Sequence, residues 1–538
     1  MRSPCDEAEL ARWECDPRVA AAAKPWVLAV AILGSSLAFV DGTAVNVALP
    51  RLQTIFGVSL ATAQWIALAY ALGLAALLLV GGALGDRFGR RRVFGIGVVG
   101  FALASAGCGL ARSVTGLIAW RAAQGVGAAL LVPGSLALLS ASFPESERGR
   151  AIGTWAGVSG ISAAIGPVLG GWIVQRWSWR WIFFINLPLA AAAVLILRRR
   201  VPECRAAVAR PRLDLAGALL TLVGLGGLTF GLLEAPLWGW GYPVVVVALA
   251  AGGLALAGFV VVEARSPAPL VPLALFRSRD FAGANLVTLL LYAALNGALF
   301  FVPFDLIQVQ GYAPAAAGAA LLPFVVIMFG LSRWAGGLVT RHGARLPLVV
   351  GPLVSALGFL ALARPAIGGT YWMTFFPALV LLGLGMVVTV APLTTTVMGA
   401  VPRDHAGVAA GINNAVSRVA ALIAVAVLGL VMQAGFARHL APRLAARGAP
   451  AAVARAVLRQ RARLAAAELP PLPDARLRAA SRAAIDESFV DGFRAVMLVA
   501  AALAALSAAS AALLVSGRLP APQERRDRAA GRPAEAGA

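Results

Sequence analysis

Runs of about 20 apolar residues recur along this chain, and that recurrence leaves few folds open. A helix needs about that length to cross the hydrocarbon core of a bilayer, and only a helix or a closed barrel can cross it with every backbone polar group paired. Separated by charge or by Gly and Pro, fourteen such runs are read at residues 26–49, 61–82, 93–111, 114–138, 150–174, 180–197, 215–234, 244–262, 281–303, 315–334, 346–363, 373–398, 406–433 and 490–515. The chain is 60% hydrophobic and only 13% charged, whereas soluble domains run at roughly 45–50% and about 25%. A water-soluble fold is excluded, and a polytopic helical membrane protein is expected.

The formal charge of +22 could suggest nucleic acid. The basic residues, however, sit in short clusters between the apolar runs, as cytoplasm-facing topological charge does. With the N-terminus inside, Arg87 with Arg90–Arg92 and Arg198–Arg200 fall on the cytoplasmic side, and the short outer loops hold only Arg51, Arg112, Arg176, Arg180 and Arg364. Both termini are therefore expected in the cytoplasm of a cell-membrane protein. Asp6, Glu7, Glu9, Glu14 and Asp16 precede the first run, unlike a cleavable signal peptide, so span 1 is expected to stay. Residues 434–489 break the charge rule, with ten Arg outside, and Val453–Ala467 reads as an amphipathic helix. Long loops translocate regardless of charge. A solvated face and a membrane-surface or gating role are both open there. Cys5, Cys15, Cys108 and Cys204 form no C-x-x-C and have no His at metal spacing, so neither disulfide nor metal is implied.

The segment Gly82–Arg91 (GALGDRFGRR) follows span 2, and a degenerate echo, Gly336–Arg345 (GLVTRHGAR after its first Gly), follows span 10. Each closes the second span of a six-span block. The plan is a cytoplasmic tail (1–25), a six-helix bundle (26–200), an inserted pair (213–263), a second bundle (280–515, with the long outer loop 434–489) and a cytoplasmic tail (516–538). Parallel repeats of this kind are a transporter architecture, with the substrate site between the halves near the midplane.

At the level of motifs the chain resembles the major facilitator superfamily, specifically its fourteen-span drug:proton antiporters of the EmrB/QacA type. The likeness is carried by Val40–Pro50 in span 1, Gln64, Trp65, Ile66 and Tyr70 in span 2, Gly82–Arg91, Arg121 with Gln124, Gly125 and Gly127 in span 4, Ala164–Gly171 in span 5, Trp179–Pro188 and Gly407–Arg418. It implies an all-α fold of two pseudo-symmetric six-helix bundles plus two inserted helices, export of lipophilic compounds in exchange for protons, and no other cofactor. Thr340 stands where the echo would repeat Asp86, and span 10 has no midmembrane acid.

Ionisable side chains inside a membrane are costly and usually functional. Asp41 lies about eight residues from the outer end of span 1, or about 12 Å, and Arg121 about seven from that of span 4, or roughly 10 Å. At one depth, they are read as a proton-binding carboxyl and its modulator, or else as a static pair joining the two spans. A guanidinium favours the charged carboxylate and burial the neutral acid, so changing contacts could alternate the two. Gln124 and Gly125 share the Arg121 face, for proton relay as the resemblance implies or for packing. Gly82, Asp86, Arg87, Gly89, Arg90 and Arg91 are, on the resemblance, a charge latch to the other half; positive-inside charge explains the arginines but not Asp86. Gly166, Pro167, Gly170 and Gly171 match the antiporter signature, though a G-x-x-x-G face also serves ordinary packing.

Asn46, Asn414 and Arg418 are candidates to line the substrate cavity, whose expected ligand is lipophilic and neutral or singly cationic. Asn296 and Asn413 are explained by interhelical hydrogen bonds. Glu234 and Asp305 are read as solvated interfacial carboxylates or cation-recruiting acids, and Trp172, Trp177, Trp179, Trp181, Trp238 and Trp240 as interface anchors. The expected function is proton-driven drug efflux by a monomer without nucleic-acid partner. A narrow exporter of one endogenous metabolite or antibiotic is the near alternative, and a lipid-modifying membrane enzyme the distant one. The enzyme is disfavoured because His342, His405 and His439 form no catalytic pattern, and no phosphate-binding loop is present.

Overall fold

The computed structural model describes residues 17–203, 214–266, 269, 271–402, 406–472 and 474–517. The expected tails fall largely outside these residues, as do Cys5, Cys15, Cys204, His405 and the N-terminal acids. Among the described residues there is no strand, and thirteen helices are long and apolar enough to cross a membrane. They are α1 (Pro17–Phe56), α2 (Leu60–Phe88), α3 (Arg90–Leu110), α4 (Val114–Ser142), α5 (Glu145–Arg176), α6 (Trp181–Arg200), α7 (Leu215–Trp238), α8 (Pro243–Arg265) and α9 (Arg279–Val309); then, after a short α10 (Pro314–Gly330), α11 (Arg345–Leu362), α12 (Phe376–Gly399), α13 (Ala406–Ala446) and α14 (Ala475–Leu514).

The tenth expected span is the exception. It is cut into Pro314–Ala319, Leu322–Gly330, Ser332–Gly336 and Leu338–His342. Pro323 lacks the N–H that would bond the Ala319 carbonyl, and Gly330, Gly336 and Gly337 weaken the turns that follow. Hydropathy registers the apolar composition of this stretch but not its breaks.

The apolar core is distributed unequally between the two sides of the molecule. On the outer side one continuous cluster joins both halves, from Ala44, Leu49 and Leu60 of α1 and α2 to Phe301, Leu428 and Phe493 of α9, α13 and α14. On the inner side there are two clusters. One lies wholly within α1–α4, α6 and Val201 and includes Phe94 and Phe101; the other, around Phe281, Leu393 and Ile412, lies wholly within the second half. The two halves thus share one core at the end that carries residues 434–489 and keep separate cores at the end that carries the Gly82–Arg91 motif.

Named contacts make the outer seam. Gln308 donates to Gln53 Oε1 at 3.0 Å and to the Pro50 carbonyl at 3.3 Å, and Gln64 of α2 donates to the Val425 carbonyl of α13 at 2.6 Å. Backbone meets backbone where α5 crosses α10. A Cβ on Gly171 would stand 2.2 Å from the Pro314 carbonyl oxygen, and one on Gly318 2.1 Å from that of Pro167. Replacing Gln64 by Leu leaves the Val425 carbonyl without its donor across the seam, at a cost of about 1 kcal/mol, or roughly fivefold in the closed-to-open ratio. Spin labels at Arg112 and Ile367, on opposite halves, would report a larger long-distance population; an unchanged distribution would count against Gln64 as a seam residue.

The segment expected as a long outer loop is mostly helix, because α13 and α14 run on past the apolar runs. Some of the arginines there are matched by acids. Arg443 reaches Asp491 at 2.5 Å and Glu487 at 3.4 Å, Arg447 pairs with Glu487, and Arg482 pairs with Asp486 at 2.8 Å. The amphipathic stretch forms a helix (Ala451–Arg459) and a tighter turn (Arg461–Ala466), burying Val453, Val457 and Leu464. It seats on the seam, where the Arg463 carbonyl accepts from Gln53 at 3.1 Å. Its apolar face is thus turned to protein, which neither expected reading anticipates.

The inserted α7 and α8 pack on each other, and α7 lies against α2 and α13. With α9 they surround an apolar cavity of about 450 Å³ nearer the cytoplasmic side.

Candidate functional site

Asp41 and Arg121 are in direct contact, as charge-assisted partners from α1 and α4, and each is only 1% exposed. Both are held by further hydrogen bonds. Gln124 donates to Asp41 Oδ1 at 2.9 Å and Asn186 does so at 3.1 Å. The Arg121 guanidinium also donates to Gln124 Oε1 at 2.7 Å and to the Ile66 carbonyl at 3.0 Å, and it lies over the Tyr70 ring at 4.4 Å. A carboxylate buried in a bilayer protein is tolerable when paired and hydrogen-bonded in this way.

Two further polar side chains complete this shell, Ser105 and Asn186, the latter inside the Trp179–Pro188 run. Asn186 stands at the first residue of the longer part of α6, just after a break at Ile185, and donates to Ser105 at 3.0 Å as well as to Asp41. Ser105 in turn donates to the Phe183 carbonyl at 2.8 Å. Neutral polar residues inside apolar runs give a weak signal of their own in a sequence.

Gly125 supplies the close approach that its helix face needs, since a Cβ there would stand 2.4 Å from the Tyr70 carbonyl oxygen. Gly166 and Gly170 face α1, where a Cβ would meet Thr43 Oγ1 at 1.9 Å and the Ala44 carbonyl oxygen at 2.7 Å. Gly171 and Pro167 face α10 instead. One short stretch of α5 therefore packs within its own half on one side and across the seam on the other.

The cytoplasmic loop motif is engaged within its own half. Asp86 pairs with Arg90 at 2.9 Å, Arg90 donates to the Ala137 carbonyl of α4, and Arg91 donates to the carbonyls of Leu197 and Arg198 in α6. Arg87 lies over Phe88. Gly89 turns the chain at φ +106°, a conformation glycine adopts without strain, and Gly82 lies against Pro133. Among the described residues the Asp86 carboxylate is taken by Arg90 of the same half, and no bond from it to the opposite half is made.

Between the halves, inward of the seam, is a cavity of about 280 Å³ whose walls include Asn46, Tyr70, Arg121, Asn296, Phe300 and Arg418. Asn46 and Arg418 are both on its wall. Asn414, one turn nearer the cytoplasm, is exposed and is not on the wall, so the shared helix face does not bring it to the cavity. Asn413 donates to Asn285 Oδ1 and Thr288 Oγ1 of α9.

Two further expectations need correction. Asp305 is 2% exposed, not solvated, because α9 ends in a wide turn (Asp305–Val309) that tucks the carboxylate inward against the Gln310 amide at 3.5 Å. Trp179 is no interface anchor: it is buried against Phe56 and Phe183, with Arg180 over its ring. Glu234 accepts from Trp65 at 3.1 Å, joining the inserted pair to α2.

Residues 31–425 match the family described as Major Facilitator Superfamily. The chain is 37% identical over 489 residues to the multidrug resistance protein Stp of Mycobacterium tuberculosis, covering 88% of this chain and 89% of that one. It is 38% identical over 411 residues to the tetracenomycin C resistance and export protein of Streptomyces glaucescens, covering 76% of each. Among solved structures, a bacterial homologue of the human lysosomal transporter Spinster, inward-facing and unoccupied, superposes with a TM-score of 0.61 at 18% identity, covering 93% of this chain and 99% of that one.

Proposed function

The chain belongs to the major facilitator superfamily, and from that premise we propose that it is a drug efflux transporter driven by exchange with protons. It is a multi-pass membrane transporter and not an enzyme. In this reading it works as a single chain in the cell membrane, both termini inside, and exports lipophilic small molecules by alternating access.

The observation that carries the reading is the position of the Asp41–Arg121 pair. Arg121 is on the cavity wall while Asp41 lies just behind it, so a change at the cavity reaches the carboxylate through one guanidinium. When the halves rock and the inner side closes, the hydrogen bonds around Asp41 are remade and its balance between charged and protonated forms changes with them. Proton binding and the side to which the cavity opens are then linked. Relatives named for multidrug resistance and for single antibiotics support export of xenobiotics or of one such antibiotic.

The test is uptake into inside-out proteoliposomes of purified protein under an imposed pH gradient, acid inside and without ATP, screening dyes and antibiotics. Accumulation that collapses with a protonophore is expected. No solute moving under any gradient would reject the proton-coupled reading, and transport of a single compound would favour the narrow exporter.

A further inference from the structure

The cavity between the halves carries an unmatched positive charge. Two of its lining side chains are cationic, Arg121 and Arg418, and none is acidic. The two cations differ in their bonding. Arg121 is spent on Asp41, Gln124 Oε1 and the Ile66 carbonyl. Arg418, from α13 of the opposite half, has no ion-pair or hydrogen-bond partner among the described residues, and its Nε is buried without an acceptor. A guanidinium in the membrane interior ordinarily sits against a carboxylate or backbone carbonyls. This one lines the cavity, whose wall also includes Asn46, Asn296 and Phe300.

We propose that Arg418 is the substrate-recognition cation of this transporter, and that the cavity takes flat lipophilic molecules bearing an acidic group, a carboxylate or an acidic phenol, whose oxygens pair with its guanidinium. The assignment rests on the efflux reading above and adds to it the chemical class of the cargo. It also replaces the neutral or singly cationic ligand expected from sequence. A planar fork of N–H donors matches two coplanar oxygens better than a point charge does. The Asn46 and Asn296 amides offer polar contacts to quinone or amide groups elsewhere on such a molecule, and Tyr70 and Phe300 supply apolar ring surface. A cationic ligand would meet a like charge with no acid on the wall to relieve it.

The test uses three probes of one shape: anthraquinone-2-carboxylate, anthraquinone-2-carboxamide and 2-(aminomethyl)anthraquinone. Binding to the full-length protein in detergent is measured by calorimetry without any pH gradient. The carboxylate is expected to bind about ten- to a hundredfold more tightly than the amide, the range of a charge-assisted hydrogen bond, with the ammonium weakest. Arg418→Gln should bring the carboxylate down to about the amide's affinity, with a much smaller loss for the amide, and an unchanged thermal unfolding midpoint in detergent shows that the variant is folded. Arg418→Lys, the second variant, should retain the order of the three probes with a smaller spread. Equal affinities for all three in the native protein, or a carboxylate preference that survives Arg418→Gln, would overturn the assignment. Tight carboxylate binding to a protein that moves nothing under a pH gradient would sink proton-driven export and leave the recognition site standing.

Discussion

Asp41→Asn is expected to reduce pH-driven efflux to the level of empty liposomes. The substitution removes the one carboxylate that touches Arg121 and keeps its shape, so Gln124 and Asn186 retain a neighbour of the same size. It also leaves a buried guanidinium without its counter-charge. Removing one partner of a buried pair costs about 3–5 kcal/mol, softened here because Arg121 keeps Gln124, the Ile66 carbonyl and an edge on the cavity. Loss of transport alone would therefore not separate proton binding from a static tie between α1 and α4. The double variant Asp41→Asn with Arg121→Gln does so. It abolishes both charges, restores thermal stability towards the native value and, if Asp41 handles the proton, remains inactive. Recovery of gradient-driven efflux in the neutral pair would leave the two residues a purely structural strut.

Gly318→Leu has the other large effect, and it acts on geometry instead of charge. Even a Cβ at this position would stand 2.1 Å from the Pro167 carbonyl oxygen, a backbone atom in a helix that cannot swing aside. The isobutyl group acts as a wedge between α5 and α10 and holds the outer seam apart. A cysteine in place of Asn46 on the cavity wall reports the result, since the described native cysteine, Cys108, is buried. In the Gly318→Leu background a membrane-impermeant maleimide added outside labels position 46, and efflux is lost; in the parent it does not. Efflux at the parental rate with position 46 still protected would show that α5 and α10 need not meet this closely.

The parts of this architecture legible beforehand are those written in hydropathy and in charge. Thirteen long helices coincide with expected runs because length and apolarity decide which segments cross a bilayer, and Asp41 and Arg121 stand out because little else inside the runs can ionise. What hydropathy does not encode is local backbone shape. Pro323 and the glycines after it interrupt the tenth span, and the wide turn at Asp305–Val309 buries a carboxylate that its position near a span end suggested was wet. Periodicity places Asn414 and Arg418 on one face, but only Arg418 reaches the cavity wall. The ring of neutral donors around Asp41, Asn186 above all, depends on contacts between helices remote in sequence, which a single chain of letters does not display.

The single apolar core at the outer end, set against two separate ones within, has a consequence for energetics. To open at the end of the shared core the protein must split it and wet its surfaces, while opening at the other end asks for no such rupture. The arrangement that keeps the shared core intact is therefore the one an empty molecule occupies most, and a ligand can favour the other only by as much as it binds that one more tightly.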